Sequence, residues 1–412
     1  MGRIPQWGSD LVAWAVTLCA IAATIIPASM PDRAHIFDLD RESFRSEVAS
    51  WGWPAYRADQ ALQWLYRQHV ADPDEMTNLS RADRACLRNQ LRLLDGTIVG
   101  TQHATDGVRK LLVQWPPGDR DAALPLADDS SRLTECVMIP AGKRRTACVS
   151  SQIGCPVGCT FCASGLDGLD GNLTAGQIVE QVWRLREGAG AEGPGPGEAG
   201  SSDLNARGES FSNSAPTHVV FMGMGEPLAN FDNVVRAVRT LTAEWGMNIS
   251  GRRVTISTVG LPAQIRRLAD LRLSGITLAL SLHATDDDLR RELIPWAHYT
   301  TIDDLLDACR YFFSTTGREI TIEYTLIRSV NDRGEQARQL ARIARTLRSN
   351  VNLIRYNEVP SLPYERPTTD DVRAFATVLR DAGVNTHVRA SRGRDIAAAC
   401  GQLRRQVTLN HT

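Results

Sequence analysis

Three cysteines that could hold a metal cluster lie close together in the sequence. Cys155, Cys159 and Cys162 have the spacing Cys-x3-Cys-x2-Cys. Two glycines and a proline in the same segment disfavour a continuous helix, so we expect a loop. Three thiolates on one loop suit an iron–sulfur cluster, which proteins usually hold with four cysteines. One iron would then keep an open coordination position at which a reacting ligand can bind.

A structural zinc site is the alternative interpretation of these cysteines. It requires a fourth ligand from elsewhere in the chain, such as Cys148 or Cys136. The sequence has no second Cys-x2-Cys pair of the kind that zinc sites often contain. On this interpretation the protein would be a zinc-bound, non-catalytic RNA-binding module.

Two further cysteines have surroundings that could support reactivity. Cys148 precedes the cysteine loop, and Cys400 stands near the end of the chain beside a glycine. The three arginines Arg389, Arg392 and Arg394 lie within eleven positions of Cys400 and could favour its thiolate. Buried, unreactive thiols are the other interpretation of both residues, because free cysteine is often buried.

Composition and charge restrict the class of protein. The 412 residues are 43% hydrophobic and 23% charged, as in ordinary soluble globular proteins. The 46 basic and 47 acidic residues give a net charge of −1, so no global basic field indicates a nucleic-acid partner. Nine cysteines at uneven spacing are typical of reduced thiols, metal ligands or catalysis, which favours a cytoplasmic location.

The N-terminal segment carries the one apolar run long enough to be considered for a membrane. Residues 11–28 are almost entirely apolar, but Arg3 and Asp10 cancel, so no positive region precedes the run. Export would also place the cysteine loop in an oxidising compartment. We therefore expect residues 1–29 to be a dispensable extension, with translation starting at Met30, and no stable membrane partner.

The remaining chain is predicted to be α/β, with a small N-terminal helical accessory domain. Helical patterns at Ser43–Ser50, Ala55–His69 and Ser80–Leu93 place that domain at residues 30–95, and we expect it to contact RNA. Residues 96–146 contain short β-prone runs at Thr97–Val99, Lys110–Trp115 and Thr134–Ile139, which predict a small β-rich connecting segment.

From residue 147 to residue 404, strand-like and helical runs alternate. The predicted strands are Ala147–Gln152, His218–Met222, Arg253–Thr258, Ile276–Leu282, Glu319–Leu326, Val351–Tyr356 and Val384–Val388. Such βα repeats predict a parallel sheet closed into a full or partial barrel, with functional groups at the carboxyl ends of the strands. Residues 188–216 are rich in Gly, Pro and Ser and are predicted to be a disordered insertion, and residues 405–412 a tail.

Polar residues and glycines recur at those predicted strand ends and could bind a cofactor. A glycine there allows close backbone approach, and a carboxylate can accept hydrogen bonds from an ammonium group. Any single one of them is often structural, but recurrence at consecutive strand ends favours a site. The candidates are Gly225, Glu226, Ser257, Ser281, Leu282, His283 and Asn357.

Several segments together resemble one known family. They are Cys148-Val-Ser-Ser-Gln-Ile-Gly-Cys155, Cys159-Thr-Phe-Cys162, Met224-Gly-Glu-Pro, Ser281-Leu-His283 and Arg392-Gly-Arg-Asp-Ile-Ala-Ala-Ala-Cys400-Gly-Gln-Leu. The chain is similar, from about His35 to Leu403, to the dual-specificity RNA methyltransferases of the RlmN and Cfr type. That resemblance implies a partial radical S-adenosylmethionine barrel, with a [4Fe-4S] cluster held by the three loop cysteines and S-adenosylmethionine bound at its open iron. Residues 1–29 and 188–216 depart from the family pattern.

The resemblance also implies roles for three residues. Cys400 would carry a methyl group, Cys148 would resolve the intermediate by forming a transient disulfide, and Glu135 would accept a proton. Two molecules of S-adenosylmethionine would be used per turnover. From the residues alone, Glu135 could equally be a solvated strand carboxylate.

Substrates and partners follow from the same resemblance. It implies methylation of carbon 2 of an adenosine in 23S rRNA and of the adenosine 3′ of the anticodon in tRNAs. A Cfr-like carbon-8 methyltransferase of 23S rRNA is the nearest alternative, and no residue separates the two. A low-potential, flavodoxin-like electron donor of unknown identity is also implied. Residues 372–412 carry seven arginines and two aspartates, so this segment could contact phosphate.

Overall fold

The computed structural model of the protein describes residues 33–116, 132–186 and 215–403. The predicted extension 1–29, the predicted tail 405–412 and all but the last two residues of the predicted insertion 188–216 lie outside these ranges. Within these ranges, no helix combines the length and the apolar character needed to cross a bilayer.

The N-terminal region is helical, as predicted. Its elements are β1 (Ala34–His35), α1 (Arg41–Ser50), α2 (Tyr56–Gln63), α3 (Arg81–Gln90) and β2 (Leu91–Arg92). Ser80 caps α3, because its Oγ accepts a hydrogen bond from Asp83 N at 3.1 Å, which confirms the predicted start. The predicted helical run to Leu93 is shorter in the structure, since β2 leaves the helix to pair in parallel with β1.

The rest of the described chain alternates strands and helices. The strands are β3 (Thr97–His103), β4 (Arg109–Gln114), β5 (Leu133–Ala141), β6 (Arg144–Cys148), β7 (Gln152–Gly154), β8 (Leu169–Asn172), β9 (His218–Phe221), β10 (Val254–Thr258), β11 (Thr277–Ser281), β12 (Ile320–Leu326), β13 (Ser349–Arg355) and β14 (Thr386–Arg389). The helices are α4 (Ala175–Arg186), α5 (Phe231–Thr242), α6 (Pro262–Asp270), α7 (Asp287–Leu293), α8 (Ile302–Thr316), α9 (Gly334–Arg345) and α10 (Thr369–Asp381).

Ten of the described strands form one sheet, which combines the predicted β-rich segment with the predicted barrel. Its order is β14-β13-β12-β11-β10-β9-β6-β5-β4-β3, with parallel pairing from β14 to β6 and antiparallel pairing from β6 to β3. The parallel part, flanked by helices, is the predicted barrel sheet, and it is open at β14. The β-rich segment does not form a separate small sheet. It extends the barrel sheet, because β5 and β6 pair as a hairpin in which Val137 lies opposite Cys148.

The first barrel strand ends earlier than predicted. The sequence predicts a strand over Ala147–Gln152, whereas β6 ends at Cys148 and residues 152–154 pair with β8 in a separate hairpin. Polar contacts divert the chain between the two strands. Ser150 N donates to Gln181 Oε1 at 2.9 Å, and Ser151 N donates to Met224 O at 2.9 Å. The cysteine loop therefore starts from the hairpin and not from the barrel sheet.

A buried carboxylate connects the N-terminal region to the barrel, and we call its surroundings the Glu180 junction. Glu180, on α4, accepts hydrogen bonds from Asp95 N at 2.8 Å, Gly96 N at 3.0 Å and Arg184 Nε at 2.7 Å. His35 Nε2 lies 3.2 Å from Glu180 Oε2, and neither side chain is exposed. Helix α4 thus holds β1 and the chain leading to β3 against the barrel that carries the cysteine loop.

Candidate active site

The three loop cysteines lie around one cavity of about 890 Å³ at the carboxyl ends of the parallel strands. Cys155, Cys159 and Cys162 follow β7 on an irregular loop, as the sequence predicts. Gly158 has a φ of +67°, in the left-handed region that favours glycine. A Cβ at Gly165 would come within 3.0 Å of Gly158 Cα, so the loop folds back closely on itself.

This donor set fits an iron–sulfur cluster. Burial raises the pKa of Cys155 to about 12 and raises the pKa values of Cys159 and Cys162, so a bound cluster must displace their protons. In the described ranges, no three His, Cys, Asp or Glu side chains converge closely enough to hold a single metal ion. The thiols instead share a cavity that has room for a polynuclear cluster and a further ligand.

Most of the predicted cofactor-binding residues line the same cavity. They are Gly225, Glu226, Ser257, Ser281 and His283. Leu282 is different, since its side chain is fully buried in the hydrophobic core and its carbonyl accepts a hydrogen bond from Arg290 Nε at 3.3 Å. Asn357 lines a smaller neighbouring cavity, where its Nδ2 donates to Cys400 O at 3.1 Å.

Glu226 and the glycine before it form a cradle in the cavity wall. A Cβ at Gly225 would lie 2.7 Å from Gln152 Cβ, and its φ is +102°, so only glycine fits there. Glu226 accepts hydrogen bonds from Leu228 N at 2.9 Å and from Val259 N at 2.8 Å. Burial nevertheless raises the pKa of Glu226 to about 7. A cationic ligand group would stabilise the ionised carboxylate.

His283 presents a neutral imidazole. Burial, and then the nearby Arg290, lower the pKa of His283 to about 3. Its Nδ1 accepts a hydrogen bond from Thr325 N at 3.0 Å, so the ring proton resides on Nε2. The ring also packs edge-on against Phe161 of the cysteine loop, with 5.2 Å between ring centroids. His283 can therefore act as a hydrogen-bond donor beside the loop.

The structure brings Cys148 and Cys400 together. Cys400 lines both the large cavity and a smaller one of about 500 Å³, and Cys148 lines the smaller one. Burial, and then the adjacent Cys400 sulfur, raise the pKa of Cys148 to about 12. Arg389 lines both cavities, and the nearby Cys400 sulfur raises the pKa of the Arg389 guanidinium. Cys400 thus stands between the cofactor cavity and the second thiol.

Glu135 is not a solvated strand carboxylate. It is buried, and its Oε1 lies 2.7 Å from Lys110 Nζ on the neighbouring strand. Lys110 Nζ also donates to Ala397 O at 3.4 Å, three residues before Cys400. Glu135 shares a face of β5 with Val137, which packs with Cys148 in one hydrophobic cluster. The carboxylate therefore lies outside the lining of the large cavity, beneath the segment that carries Cys400.

Two charged residues that lie in or near the cavity were not identified from the sequence. Glu323 is buried in the cavity wall, with Oε1 accepting from Asn352 Nδ2 at 3.0 Å and Oε2 without a hydrogen-bond partner. Burial raises its pKa. A lone acid in an otherwise uncharged strand was the available signal. Arg290 is also fully buried, near Cys159, and burial lowers its pKa to about 10. No local pattern marks it.

Comparison with known families agrees with this architecture. Residues 34–93 match the family model for the ribosomal RNA large subunit methyltransferase N-terminal domain, and residues 203–341 match the radical SAM superfamily model. These matches assign the helical region and part of the barrel to different family models.

Similar proteins extend the agreement over nearly the whole chain. A probable dual-specificity RNA methyltransferase RlmN of Rhodopirellula baltica is 39% identical over 95% of this chain and 96% of its own length. A protein of the same name from Gloeobacter violaceus is 42% identical over 89% of this chain and 93% of its own. The crystal structure of a radical SAM methyltransferase from Sphaerobacter thermophilus matches with a TM-score of 0.79, at 40% identity, over 90% of this chain and 100% of that one.

Radical SAM enzymes use a [4Fe-4S] cluster and S-adenosylmethionine, and the three thiols and the cavity beside them fit both groups. The zinc-bound, non-catalytic alternative is therefore wrong. The chain belongs to the family of RlmN dual-specificity RNA methyltransferases, which are radical SAM enzymes.

Proposed function

We propose that this protein methylates carbon 2 of an adenosine in 23S rRNA and of the adenosine 3′ of the anticodon in tRNAs, with Cys400 as the methyl carrier and Cys148 as the resolving thiol. The position of Cys400 carries the proposal, because its side chain lines both the cofactor cavity and the cavity that contains Cys148. A single sulfur can therefore meet the cofactor and later meet a second thiol. The similar RlmN proteins favour carbon 2 over carbon 8.

A methyl carrier is needed because of the chemistry of adenine. Carbon 2 is electrophilic and does not attack a sulfonium methyl group, so direct polar transfer fails. When bound, the [4Fe-4S] cluster and S-adenosylmethionine supply a 5′-deoxyadenosyl radical. The protein must then place a methyl group where that radical can remove a hydrogen atom, and the rim of the cofactor cavity is such a place.

In the first half of the reaction, the Cys400 thiolate attacks the sulfonium methyl group. A sulfur–carbon bond forms on Cys400, and S-adenosylhomocysteine leaves. Arg389 stands beside Cys400 and stabilises the negative charge before the attack. Because a second molecule of S-adenosylmethionine must enter for radical formation, two are used per turnover.

In the second half, a hydrogen atom is removed from the Cys400 methyl group and the resulting carbon radical adds to carbon 2. Glu135, whose Oε1 lies 2.7 Å from Lys110 Nζ beneath the segment that carries Cys400, accepts the proton that carbon 2 loses. Cys148 then attacks the Cys400 sulfur, so that a disulfide forms, the sulfur–carbon bond breaks and the radical adduct gives up one electron. That electron balances the one that a low-potential, flavodoxin-like donor supplies for the radical step. A two-electron thiol reductant then returns Cys148 and Cys400 to thiols before the next turnover.

Anaerobic reconstitution followed by assay on both RNAs tests this function. Mass spectrometry of digested 23S rRNA and tRNA should detect 2-methyladenosine. A product methylated at carbon 8 would contradict the carbon-2 assignment and support the Cfr-like alternative.

Cysteine variants test the two thiol roles separately. Cys148→Ala should trap a covalent RNA–protein adduct through Cys400, whereas Cys400→Ala should abolish both adduct and product. Cys309→Ala is the matched control, since Cys309 is also buried but lines neither cavity. Normal turnover by Cys400→Ala would show that another group carries the methyl.

A further inference from the structure

A second large cavity lies at the opposite edge of the barrel sheet. It is a solvent-open groove of about 920 Å³ next to the amino ends of β10, β11 and β12, whereas the cofactor cavity is at their carboxyl ends. Arg252, Arg272 and Arg318 line it together with serine and threonine residues, and none of the described residues that line it carries a carboxylate. We call this cavity the arginine groove.

The three arginines of the groove lack counter-charges. Among the described residues, none of the three has a carboxylate within ion-pair distance, whereas the nearby Arg267 pairs with Asp232 at 2.6 Å. Arg318 Nη2 donates only to Thr277 Oγ1 at 3.2 Å, and its Nε is buried without a hydrogen-bond partner. Like charges placed together repel one another, so an anion would stabilise this arrangement.

Two backbone loops beside the groove are in close contact. A Cβ at Gly251 would fall 1.7 Å from Ser274 O, so glycine is needed for the loop before β10 to touch the loop before β11. Arg272 has a φ of +45°, an uncommon conformation for a residue with a side chain, and its N–H donates to Ala269 O at 3.0 Å. Two loops thus converge to place Arg252 and Arg272 on the same groove.

Asp270, an acid close to Arg272 in the chain, is already engaged by another partner. Asp270 ends α6, two residues before Arg272, and its Oδ1 accepts a hydrogen bond from Tyr311 OH at 2.6 Å. It is not among the groove-lining residues. The groove therefore presents guanidinium and hydroxyl donors, which match the several acceptor oxygens of a phosphate group.

We propose that the arginine groove binds a phosphate group, supplied either by free phosphate or by the backbone of the RNA substrate. The second source rests on the proposed function. An RNA phosphate bound there would contact the enzyme at the edge of the barrel opposite the cofactor cavity. The affinity for RNA would then depend partly on a surface outside the active site. Arginine contacts of this kind to RNA phosphates add to affinity without reading sequence.

The first arm of the test uses inorganic phosphate alone. Thermal unfolding of the reconstituted full-length protein is followed in sodium phosphate and in sodium chloride of equal ionic strength. Phosphate should raise the melting temperature of the wild type, and the double variant Arg252→Gln/Arg318→Gln should lose at least half of that rise. Arg342→Gln is the matched control, an exposed arginine on α9 outside the groove, and it should behave as the wild type.

The second arm distinguishes the source of the phosphate. Binding of a tRNA is measured by fluorescence polarisation over a range of salt concentrations. If the phosphate belongs to RNA, the double variant should bind about 3- to 10-fold more weakly, with a salt dependence shallower by about one or two contacts. If free phosphate is the ligand, tRNA binding stays unchanged while the phosphate effect on stability is lost. Arg252→Lys/Arg318→Lys, which keeps the charge, should recover part of either effect.

The proposal is overturned if neither arm distinguishes the double variant from the wild type and from Arg342→Gln. Circular dichroism confirms that each variant is folded. The methylation state of Cys400, measured by mass spectrometry, reports on the proposed function independently of the groove. Loss of phosphate binding with normal Cys400 methylation therefore supports the groove, while absent methylation with intact phosphate binding contradicts only the proposed function.

Discussion

Two buried glutamates show how differently the chain treats the Glu180 junction and the cofactor cavity. Burial alone would raise the pKa of Glu180, but the His35 ring, Arg184 and the Asp95 N–H lower it, and the net shift is downward. Burial raises the pKa of Glu226 to about 7, since its hydrogen-bond donors among the described residues are uncharged, mainly the N–H groups of Val259 and Leu228. The two buried carboxylates therefore shift in opposite directions, because among the described residues the junction supplies the Arg184 guanidinium and the cavity supplies no cation to Glu226.

This difference in charged partners distinguishes a buried carboxylate that stabilises the fold from one that is placed to bind a ligand. At the junction the chain itself satisfies the carboxylate, so the network can stabilise the fold without any ligand. In the cavity the ionised form of Glu226 lacks a cationic partner, and Glu323 keeps one oxygen without a hydrogen bond. The cavity is thus incomplete as folded. The ammonium group of S-adenosylmethionine is a cation of the kind that Glu226 lacks.

The largest stability effect should come from breaking the junction. Glu180→Gln removes the negative charge that compensates Arg184 and lies beside His35, and it leaves buried donors without good acceptors. We expect the free energy of unfolding to fall by about 3–5 kcal/mol. Urea unfolding followed by circular dichroism measures the change. Glu335→Gln, an exposed glutamate in the first turn of α9, should cost well under about 1 kcal/mol. Equal losses in the two variants would contradict the structural role of Glu180.

The matching change in the cavity should affect ligand binding more than stability. Glu226→Gln removes one acceptor of a backbone hydrogen bond, which costs about 1–2 kcal/mol of unfolding free energy. Loss of a charge-assisted hydrogen bond to an ammonium group should weaken S-adenosylmethionine binding roughly 10- to 150-fold. Isothermal titration calorimetry on anaerobically reconstituted protein measures the affinity. Unchanged affinity would show that Glu226 does not meet the ammonium group.

The pH dependence of the unfolding free energy gives a smaller effect at the Glu180 junction. Because the folded-state pKa of Glu180 is lowered, its contribution is present above the ordinary glutamate pKa of about 4.5 and is lost as pH falls through the lower folded-state value. The stability difference between wild type and Glu180→Gln should therefore shrink below about pH 4.5. Urea unfolding of both proteins at several pH values measures it. A difference that stays constant on acidification would contradict this electrostatic origin.

Local patterns in the sequence predicted the elements and much of the site. The Ser80 cap, the irregular cysteine loop and the strand-end positions of Glu226 and Ser257 all follow from spacing and from residue type. These features depend on neighbours a few residues away, so a single sequence contains the information. The predicted barrel edge also brought Glu226 and Ser257 to one cavity, because carboxyl ends of parallel strands meet there.

Features that depend on distant parts of the chain were not predicted. Glu180 lies in α4, but its burial depends on His35 of β1, which is 145 positions away. Leu282 stands in a strand-end tripeptide with two cavity residues, yet its side chain points to the core. The β-rich segment was predicted without its pairing to the barrel sheet, because the pattern of a strand does not reveal which strand it will pair with.

The smallest effect should come from Cys136, a buried cysteine on the strand next to that of Cys148 and on the opposite face of the sheet. Cys136 on β5 packs into the main hydrophobic core opposite Leu111, whereas Cys148 on β6 packs with Val137 under the Cys400 segment. Both thiols are buried, so Cys136→Ala and Cys148→Ala should each cost about 1 kcal/mol of unfolding free energy. Only Cys148→Ala should stop product release, while Cys136→Ala keeps turnover within about twofold of the wild type. A matched loss of turnover in both variants would mean that packing under the Cys400 segment, and not a thiol at position 148, is what the reaction requires.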